Sequence, residues 1–316
     1  MHIAEAATIS QALLEALQRV IVGKELVLRQ LLLGLYSGGN ILLEDFPGLA
    51  KTLIARLVAQ VTGLEFKRIQ FTPDLLPGDI TGGVMYHQQR GEFIFRPGPL
   101  FTNLVLADEV NRAPPKTQAA LLEVMQERQV TVEGTTYPMP APFIVLATQN
   151  PIELEGTYPL PEAQLDRFIM RLRVGYPSPE EERLILAQRG ARRQEKIELA
   201  PVIDAEQLLQ IQATVEQVHV SEPIEQYIVG LTAATRQHAH VQVGASPRGS
   251  LALYQLSRAY AMVHRRDFVL PDDVKTMAVS ALAHRVLLKP ELWVRGLQAE
   301  AIVRDILDRT PIPKAD

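Results

Sequence analysis

Short apolar runs alternate with longer amphipathic segments in the first half of the chain. Five runs are rich in β-branched and other apolar residues: 40–45, 67–71, 103–109, 143–150 and 167–174. Continuous apolar runs of this length are typical of strands buried on both faces, as in a parallel sheet covered by helices. The pattern therefore predicts an α/β domain with a parallel sheet between helical layers.

The pattern changes near residues 174–182, where Pro177 and Pro179 interrupt it. Beyond this point apolar residues recur at intervals of three and four, which is the period of an amphipathic helix. We therefore divide the chain into an α/β domain over residues 1–176 and a small all-helical domain over 177–316. Helices are predicted to start near Asp204, Ser221, Ser246, Pro271 and Gln298.

Two β-hairpins are predicted as insertions in the first domain, over residues 84–96 and 129–139. Each has two β-prone arms, separated by Arg-Gly at 90–91 and by Glu-Gly at 133–134. Neither hairpin is needed to complete the sheet. Insertions of this kind often carry partner or substrate contacts, although a loop without a function explains them equally well.

Composition and charge narrow the class of protein. Of the 316 residues 47% are hydrophobic and 22% charged, and the formal net charge is −4. This composition is typical of a folded globular protein. The negative charge disfavours a protein that coats nucleic acid, because such binding depends on neutralising phosphates with basic side chains.

The absence of cysteine and the short length of the apolar segments bear on the cellular compartment of the protein. The chain has no cysteine, which excludes disulfides, thiolate nucleophiles and Cys-ligated metal sites. The most apolar segments, around 27–36 and at 143–147, are shorter than the roughly 18–20 residues needed to cross a bilayer. The start of the chain lacks the basic region of a secretory signal. We expect a cytoplasmic protein without a membrane span.

The segment 40–60 has the layout of a phosphate-binding loop, in which an apolar strand enters a turn and then a helix. In such a loop, backbone N–H groups and the helix N-terminus face the phosphates. A lysine binds the β- and γ-phosphates, and a hydroxyl coordinates Mg²⁺. Thr52 is accordingly the first predicted magnesium ligand. The predicted nucleotide-binding residues of the loop are Pro47, Gly48, Leu49, Ala50, Lys51, Thr52 and Leu53.

The strict pattern of this loop is broken at two positions. Asp45 and Ala50 stand where glycine is expected. A chance succession of strand, Pro-Gly turn, Lys-Thr pair and helix is therefore an alternative explanation of the segment. A carboxylate at position 45 would weaken nucleotide binding if it faced the triphosphate.

Polar residues at the ends of later runs complete a set suited to phosphoryl transfer. Asp108 can hold Mg²⁺, and Glu109 can take a proton from attacking water. Asn150 can orient water or bind the γ-phosphate, and Arg167 can stabilise developing charge. Arg248 follows Ser246-Pro247 at a predicted helix start, where a cation opposes the helix dipole unless it meets an anion. The full set predicts ATP hydrolysis.

Taken together, these segments resemble the MoxR-type AAA+ ATPases, over roughly residues 20–270. The resemblance implies a P-loop AAA+ αβα sandwich followed by a helical lid domain. The segments that carry it are VIVGKE (20–25), LLEDFPGLAKT (42–52), RIQFTPDLLPGDITG (68–82), FRPGPLF (95–101), the stretch 106–132, the stretch 147–168 and GASPRG (244–249).

The resemblance also implies a role for each site residue. Lys51 and Thr52 match the phosphate-loop pair, and Asp108 and Glu109 match the magnesium-binding and catalytic acids. The remaining matches are Asn150 with the first sensor, Arg167 with the arginine finger that reaches a neighbouring subunit, Arg248 with the second sensor, and Val22 and Gly23 with the stretch that borders adenine. Arg112 is either a second inter-subunit contact or a member of a structural ion pair. The two hairpins correspond to the helix-2 insert and the pre-sensor hairpin, which face the central pore or the partner.

By resemblance, the expected function is ATP hydrolysis with ATP and Mg²⁺ as cofactors. It drives remodelling of a protein client, or its maturation by cofactor or metal insertion, in a homo-oligomeric and hexameric ring. The expected partners include a protein with a von Willebrand factor A-type domain. One alternative is an AAA+ nucleic-acid motor or loader, which the net charge disfavours. The other is a nucleotide-switch scaffold that hydrolyses ATP only weakly, and the carboxylate of Asp45 in the phosphate loop is the reason to consider it.

Overall fold

The computed structural model describes residues 1–89, 91–150, 157–192, 197–293 and 296–313. The strands are β1 (Ile41–Glu44), β2 (Phe66–Gln70), β3 (Gly82–His87), β4 (Glu92–Pro97), β5 (Leu104–Asp108), β6 (Gln129–Val132), β7 (Thr135–Pro138), β8 (Ile144–Gln149), β9 (Met170–Leu172), β10 (Val241–Val243) and β11 (Leu287–Leu288). The helices are α1 (Ile3–Gln18), α2 (Glu25–Tyr36), α3 (Lys51–Val61), α4 (Pro77–Thr81), α5 (Pro115–Glu127), α6 (Glu162–Leu165), α7 (Pro179–Arg192), α8 (Ala205–Val215), α9 (Glu222–Gln237), α10 (Pro247–Val263), α11 (Pro271–Leu282), α12 (Pro290–Trp293) and α13 (Ala299–Arg309).

A five-stranded parallel sheet with the order β2-β5-β8-β1-β9 forms the centre of the first half. Its strands are the five apolar runs, so the predicted parallel sheet is confirmed. In parallel strands all carboxyl ends lie at one edge of the sheet. The segments that follow β1, β5 and β8 therefore meet at this edge.

Successive residues of the central strands pack on opposite faces of the sheet. Leu104 and Leu106 of β5 belong to a buried cluster that contains residues of α1, α2 and α3. Val105 and Ala107 belong to a second cluster, with residues of α4 and α5. The sheet thus lies between two helical layers, which confirms the αβα sandwich.

The second half is helical, as expected, and its five predicted helix starts coincide with the first turns of α8, α9, α10, α11 and α13. The Asp204 side chain accepts a hydrogen bond from the backbone N–H of Gln207 at the start of α8. Ser246 caps α10 in the same way. One short antiparallel pair, β10 with β11, adds to the helices and has no counterpart in the sequence-based prediction.

Both predicted hairpins are present, as β3–β4 and β6–β7. The second turns at Glu133 and Gly134 with φ of 49° and 77°, the left-handed conformation that a tight two-residue turn requires. In the first hairpin, Arg90 lies outside the described residues. The rings of Phe95 and Tyr137 stack with centroids 3.9 Å apart, so the two hairpins are in contact.

The N-terminal helices α1 and α2 pack against the second half of the chain. Both contact α8 and α10, and residues of all four helices belong to one buried cluster with the sheet. The division at residues 176 and 177 stays a prediction, because this cluster is continuous across it. Among the helices of the described ranges, none has both the length and the apolar content that a bilayer crossing requires.

We expect α1 to be an essential part of this shared core. Leu13 of α1 is fully buried, so Leu13→Ala should lower the free energy of unfolding by about 3 kcal/mol, through lost burial and the cavity left behind. Urea unfolding followed by circular dichroism measures this change. Leu26→Ala on α2 is the matched control, because Leu26 is 64% exposed and its loss should cost less than about 0.5 kcal/mol. Equal costs for the two variants would contradict the packing of α1.

Candidate active site

The loop between β1 and α3 has the backbone conformation of a phosphate cradle. Gly48 has φ of 83°, and Ala50, which caps α3, has φ of 58°. Glycine adopts this left-handed conformation freely, whereas alanine is strained in it by roughly 1–3 kcal/mol. This explains why the strict loop pattern has glycine at the position of Ala50. The helix that follows turns its N-terminal N–H groups toward the same space.

Lys51 rests on the loop itself. Its Nζ donates hydrogen bonds to the backbone oxygens of Asp45 at 2.6 Å and Phe46 at 2.7 Å. Partial burial lowers the pKa of the Lys51 ammonium, and the carboxylates of Asp45, Asp108 and Glu109 oppose this shift. The ammonium therefore lies in the field of the acidic pair that the sequence predicted.

The Asp45 carboxylate points away from the phosphate cradle. It accepts hydrogen bonds from the backbone N–H of Phe46 at 2.9 Å and from that of Gly175, which follows β9. The residue is only 7% exposed and does not line the cavity above Lys51. Direct repulsion of the triphosphate, which we expected from a facing carboxylate, therefore has no geometric basis. The side chain instead fastens the loop to the chain beyond β9.

Asp108 and Glu109 lie at the carboxyl end of β5 and share one anchor, Thr148 of β8. The Thr148 hydroxyl donates to the Asp108 carboxylate at 2.6 Å and accepts from the Glu109 backbone N–H at 2.8 Å. Glu109 has φ of 56°, a left-handed conformation that is uncommon for glutamate and is often found at functional sites. The two acids are thus held at fixed positions next to one another.

Three residues of this network were not predicted from the sequence: Thr148, Arg68 and Gln70. Arg68 of β2 donates to one oxygen of Asp108 from Nε at 2.9 Å and Nη2 at 2.7 Å. Gln70 donates to the Glu109 carboxylate at 2.7 Å. The only available signal was the presence of polar residues in otherwise apolar strands, and their meaning depends on β2 and β8 flanking β5.

Glu109 also pairs with Arg112, whose Nε lies 3.3 Å from the carboxylate. The structural ion pair considered for Arg112 is present in the structure, and the inter-subunit contact stays a prediction. Among the described residues, the Glu109 carboxylate thus accepts a hydrogen bond from Gln70 and pairs with Arg112.

A cavity of about 370 Å³ joins the predicted phosphate-binding and catalytic residues. The Thr52 hydroxyl and the Asp108 carboxylate both border it, and oxygen ligands of this kind fit Mg²⁺. Asn150, which is 5% exposed, borders it too. The lining residues are Pro47, Gly48, Leu49, Ala50, Lys51, Thr52, Arg68, Asp108, Glu109, Thr148 and Asn150.

A second, more apolar cavity of about 280 Å³ continues from the other side of the loop, and Gly48, Leu49 and Ala50 border both. Val22 and Leu53 are part of its wall, together with residues of α7, so a flat base fits here beside the phosphates. Gly23 does not line it. The Glu181 side chain covers Gly23 so closely that an added Cβ would lie 1.8 Å from its carboxylate oxygen.

Arg167 and Arg248 lie away from both of these cavities. They border a third cavity of about 330 Å³, together with Asp166 and Arg285. Arg167 donates from Nη1 to the Leu122 backbone oxygen at 2.7 Å, whereas its buried Nε has no hydrogen-bond partner among the described residues. The structure thus brings Lys51, Thr52, Asp108, Glu109 and Asn150 together, and it brings the two arginines together elsewhere.

Burial affects the pKa of Arg285 in this third cavity, although its guanidinium stays charged at neutral pH. It lowers the pKa of the Arg285 guanidinium to about 10, the paired Asp166 carboxylate opposes the shift, and the nearby charge of Arg248 adds to it. The cavity contains three arginines and one carboxylate, so it carries an excess of positive charge. An anion is the complement of such a surface.

The chain matches two family models, one in each half. Residues 40–170 match the model described as the ATPase family associated with various cellular activities (AAA), and residues 233–306 match the AAA lid domain. The first match contains the nucleotide cavity and strands β1, β2, β5 and β8 of the sheet, and the second contains α10, α11 and the larger part of α13.

Curated relatives match over nearly the whole chain. The uncharacterized protein YeaC of Bacillus subtilis is 51% identical over 95% of this chain and 93% of its own length. Chaperone MoxR1 of Mycobacterium tuberculosis is 44% identical, over 99% of this chain and 84% of its own length. Protein MoxR of Methylorubrum extorquens is 31% identical, over 93% of this chain and 92% of its own length.

A solved structure agrees with the fold. A crystal structure from Cytophaga hutchinsonii, of a protein provisionally described as an ATPase, superimposes with a TM-score of 0.92. It is 41% identical and covers 99% of this chain and 97% of its own. The shared fold and the relatives named MoxR confirm the resemblance drawn from the motifs, and the chain belongs to the MoxR family of AAA+ ATPases.

Proposed function

We propose that this ATPase depends on Mg²⁺ and works in the cytoplasm as the subunit of a hexameric ring, in which ATP hydrolysis remodels or matures a protein client. The observation that carries the proposal is the separation of Arg167 and Arg248 from the chain's own nucleotide cavity. An ATPase that needs arginines at the γ-phosphate must then take them from a neighbouring subunit. The loop and the acidic pair supply the rest of the site.

Within one subunit, each side chain of the nucleotide cavity has a distinct role. Lys51 leaves the loop carbonyls to bind the β- and γ-phosphates, and the loop N–H groups hold the phosphate oxygens. Thr52 and Asp108 would hold Mg²⁺, which would offset the negative charge of the phosphates. Glu109 takes a proton from the attacking water, and Asn150 orients that water or the γ-phosphate.

Between subunits, we assign both arginines to the nucleotide of the neighbour. Arg167 and Arg248 border one cavity with excess positive charge, which suits an anionic ligand. Their charge stabilises the negative charge that develops on the phosphoryl group in the transition state. On this proposal hydrolysis requires assembly, so the state of one nucleotide affects the adjoining subunit.

The hairpins are the proposed site of client contact. Tyr86 and Phe93 form a ring pair near the tip of β3–β4 and are 54% and 74% exposed. Exposed aromatic pairs of this kind are typical of protein interaction surfaces. The client to test first is a protein with a von Willebrand factor A-type domain, as the resemblance suggests, and the readout is stimulation of ATPase activity by the purified candidate.

Each alternative function can be separated by a simple measurement. A nucleic-acid motor or loader requires stimulation of ATP hydrolysis by added DNA or RNA, and we expect none. A scaffold that barely hydrolyses ATP would have the same turnover before and after replacement of Glu109 by glutamine.

Lys51→Ala should abolish ATP binding, because the phosphates lose the cation that the loop supplies. Binding of a fluorescent ATP analogue and steady-state turnover measure the effect, and circular dichroism checks the fold. Lys67→Ala is the matched control, because Lys67 of β2 borders neither nucleotide cavity and should leave both values unchanged. Normal hydrolysis by Lys51→Ala would disprove the assignment of the loop.

Glu109→Gln should bind ATP normally and hydrolyse it at least about 100-fold more slowly, because the amide cannot accept the proton of water. Equilibrium nucleotide binding and single-turnover hydrolysis separate the two effects. Glu65→Gln, at an exposed position just before β2, is the control with the same change of charge. A loss of nucleotide affinity in Glu109→Gln would identify Glu109 as a metal ligand or a structural residue instead.

Arg167→Ala and Arg248→Ala should each bind ATP normally but hydrolyse it slowly. For Arg167→Ala the turnover rate should fall by up to about three orders of magnitude. Mixing either variant with Lys51→Ala should restore part of the turnover. We call the surface that carries Arg167 and Arg248 the arginine face. In a random equal mixture, about a quarter of the interfaces join an intact loop to an intact arginine face.

Arg309→Ala is the control for the arginine variants, because Arg309 is exposed at the end of α13 and should retain full turnover. Wild-type specific activity should also rise with protein concentration as rings form. Activity that does not depend on concentration, together with no recovery on mixing, would show that neither arginine acts across subunits.

A further inference from the structure

A partly buried set of polar contacts joins the backbone beside Arg167 to the start of α10. Asp166, the residue before Arg167, accepts hydrogen bonds from the Ser246 hydroxyl at 2.7 Å and from Nε of Arg285 at 2.9 Å. The Ser246 hydroxyl also accepts from the backbone N–H of Arg248 at 3.0 Å. The Asp166 carboxylate thus links the segment that carries Arg167 to the start of the helix that carries Arg248. Asp166 and Ser246 are 80 positions apart in the sequence.

Arg285 holds the same segment from the other side. Its Nη2 donates to the backbone oxygens of Asp166 at 3.1 Å and of Phe168 at 2.6 Å, which flank Arg167. The Arg285 side chain is 2% exposed and that of Asp166 is 17% exposed. A charge-assisted pair this well shielded has a defined geometry, because neither partner can be replaced by water at low cost.

These contacts bear on the positions of Arg167 and Arg248, and the residues that make them do not border the proposed nucleotide site. None of Asp166, Ser246 and Arg285 borders either nucleotide cavity. Asp166 and Arg285 do border the third cavity, the one that Arg167 and Arg248 also border, and their opposite charges offset each other there. The charge that remains for an incoming anion is then that of Arg167 and Arg248.

We propose that Asp166 is a positioning residue that fixes Arg167 and Arg248 relative to one another, so that both reach the γ-phosphate of the neighbouring subunit together. The inference rests on the proposed function, since it requires the two arginines to act across the interface. Two charges that must meet one phosphoryl group lose much of their effect when either is displaced by about 1 Å. The link also makes the arginine face part of the lid, because Ser246 and Arg285 belong to the helical half.

Asp166→Asn tests the proposal, because the amide keeps the shape of the side chain and removes its charge. Turnover should fall at least about tenfold, while the dissociation constant of a fluorescent ATP analogue stays within about twofold of the wild-type value. Mixing with Lys51→Ala subunits should restore part of the turnover, since they present an intact arginine face to the intact loop of Asp166→Asn.

Asp273→Asn is the matched control for the loss of a buried charge pair. Asp273 pairs with Arg266 at 2.6 Å and accepts from the Leu270 N–H at the start of α11, and it borders none of the cavities described here. It should lower thermal stability without lowering turnover at temperatures where the protein stays folded. An equal loss of turnover in both variants would overturn the proposal, because general destabilisation of the lid would then explain it.

Ser246→Ala provides an independent test that does not require Asp166 to be replaced. It should lower turnover as Asp166→Asn does, whereas Asp204→Ala, which removes the cap of α8 and no link to Arg167, should not. Wild-type turnover in Ser246→Ala or in Asp166→Asn would overturn the proposal.

The mixing experiment separates this inference from the proposed function. If Arg167→Ala recovers with Lys51→Ala but Asp166→Asn does not, the inference fails and the assignment of Arg167 across subunits stands. If neither mixture recovers, both fail. Recovery in both mixtures, with the controls unaffected, supports both.

Discussion

The carboxyl-terminal edge of the parallel sheet is the constraint on which the active site depends. Three central strands are buried on both faces, so their positions are fixed by packing with helices on either side. The phosphate loop follows β1, the acidic pair ends β5 and Asn150 follows β8. Residues that are far apart in the chain therefore meet with a precision that their own loops could not provide.

The charged groups of the nucleotide cavity are satisfied inside the subunit. Lys51 binds loop carbonyls, Asp108 pairs with Arg68, and Glu109 bonds to Gln70 and pairs with Arg112. Because several of these side chains are partly exposed to solvent, the contacts define the positions of the charged groups more than they add to the stability of the fold. On the proposed function, Lys51 exchanges the loop carbonyls for phosphate oxygens, so nucleotide binding would be tied to a local rearrangement of this side chain.

The sequence was sufficient for the five strands of the parallel sheet and for the five helix starts of the second half. It also identified the loop residues, the acidic pair and Asn150 at the nucleotide cavity, but not Arg68 and Thr148, which border the same cavity. The features that it identified depend on local pattern, caps and strand ends, which are readable one segment at a time. The partners of the catalytic acids were not readable in this way. Arg68 and Thr148 reach Asp108 because β2 and β8 flank β5, and strand order is a property of the whole sheet.

The same distinction applies to Asp45, Arg167 and Arg248. Asp45 is close to Lys51 in sequence, yet its carboxylate turns to the backbone of Gly175, because the loop must be fastened to the chain after β9. The helical half contributes Arg248 to a cavity that lies apart from the nucleotide, since α1 and α2 pack with α10 in a shared core. Arg248 accordingly borders neither nucleotide cavity of its own chain. On the proposed function, the two arginines therefore act on the nucleotide of a neighbouring subunit, which brings its own loop to them.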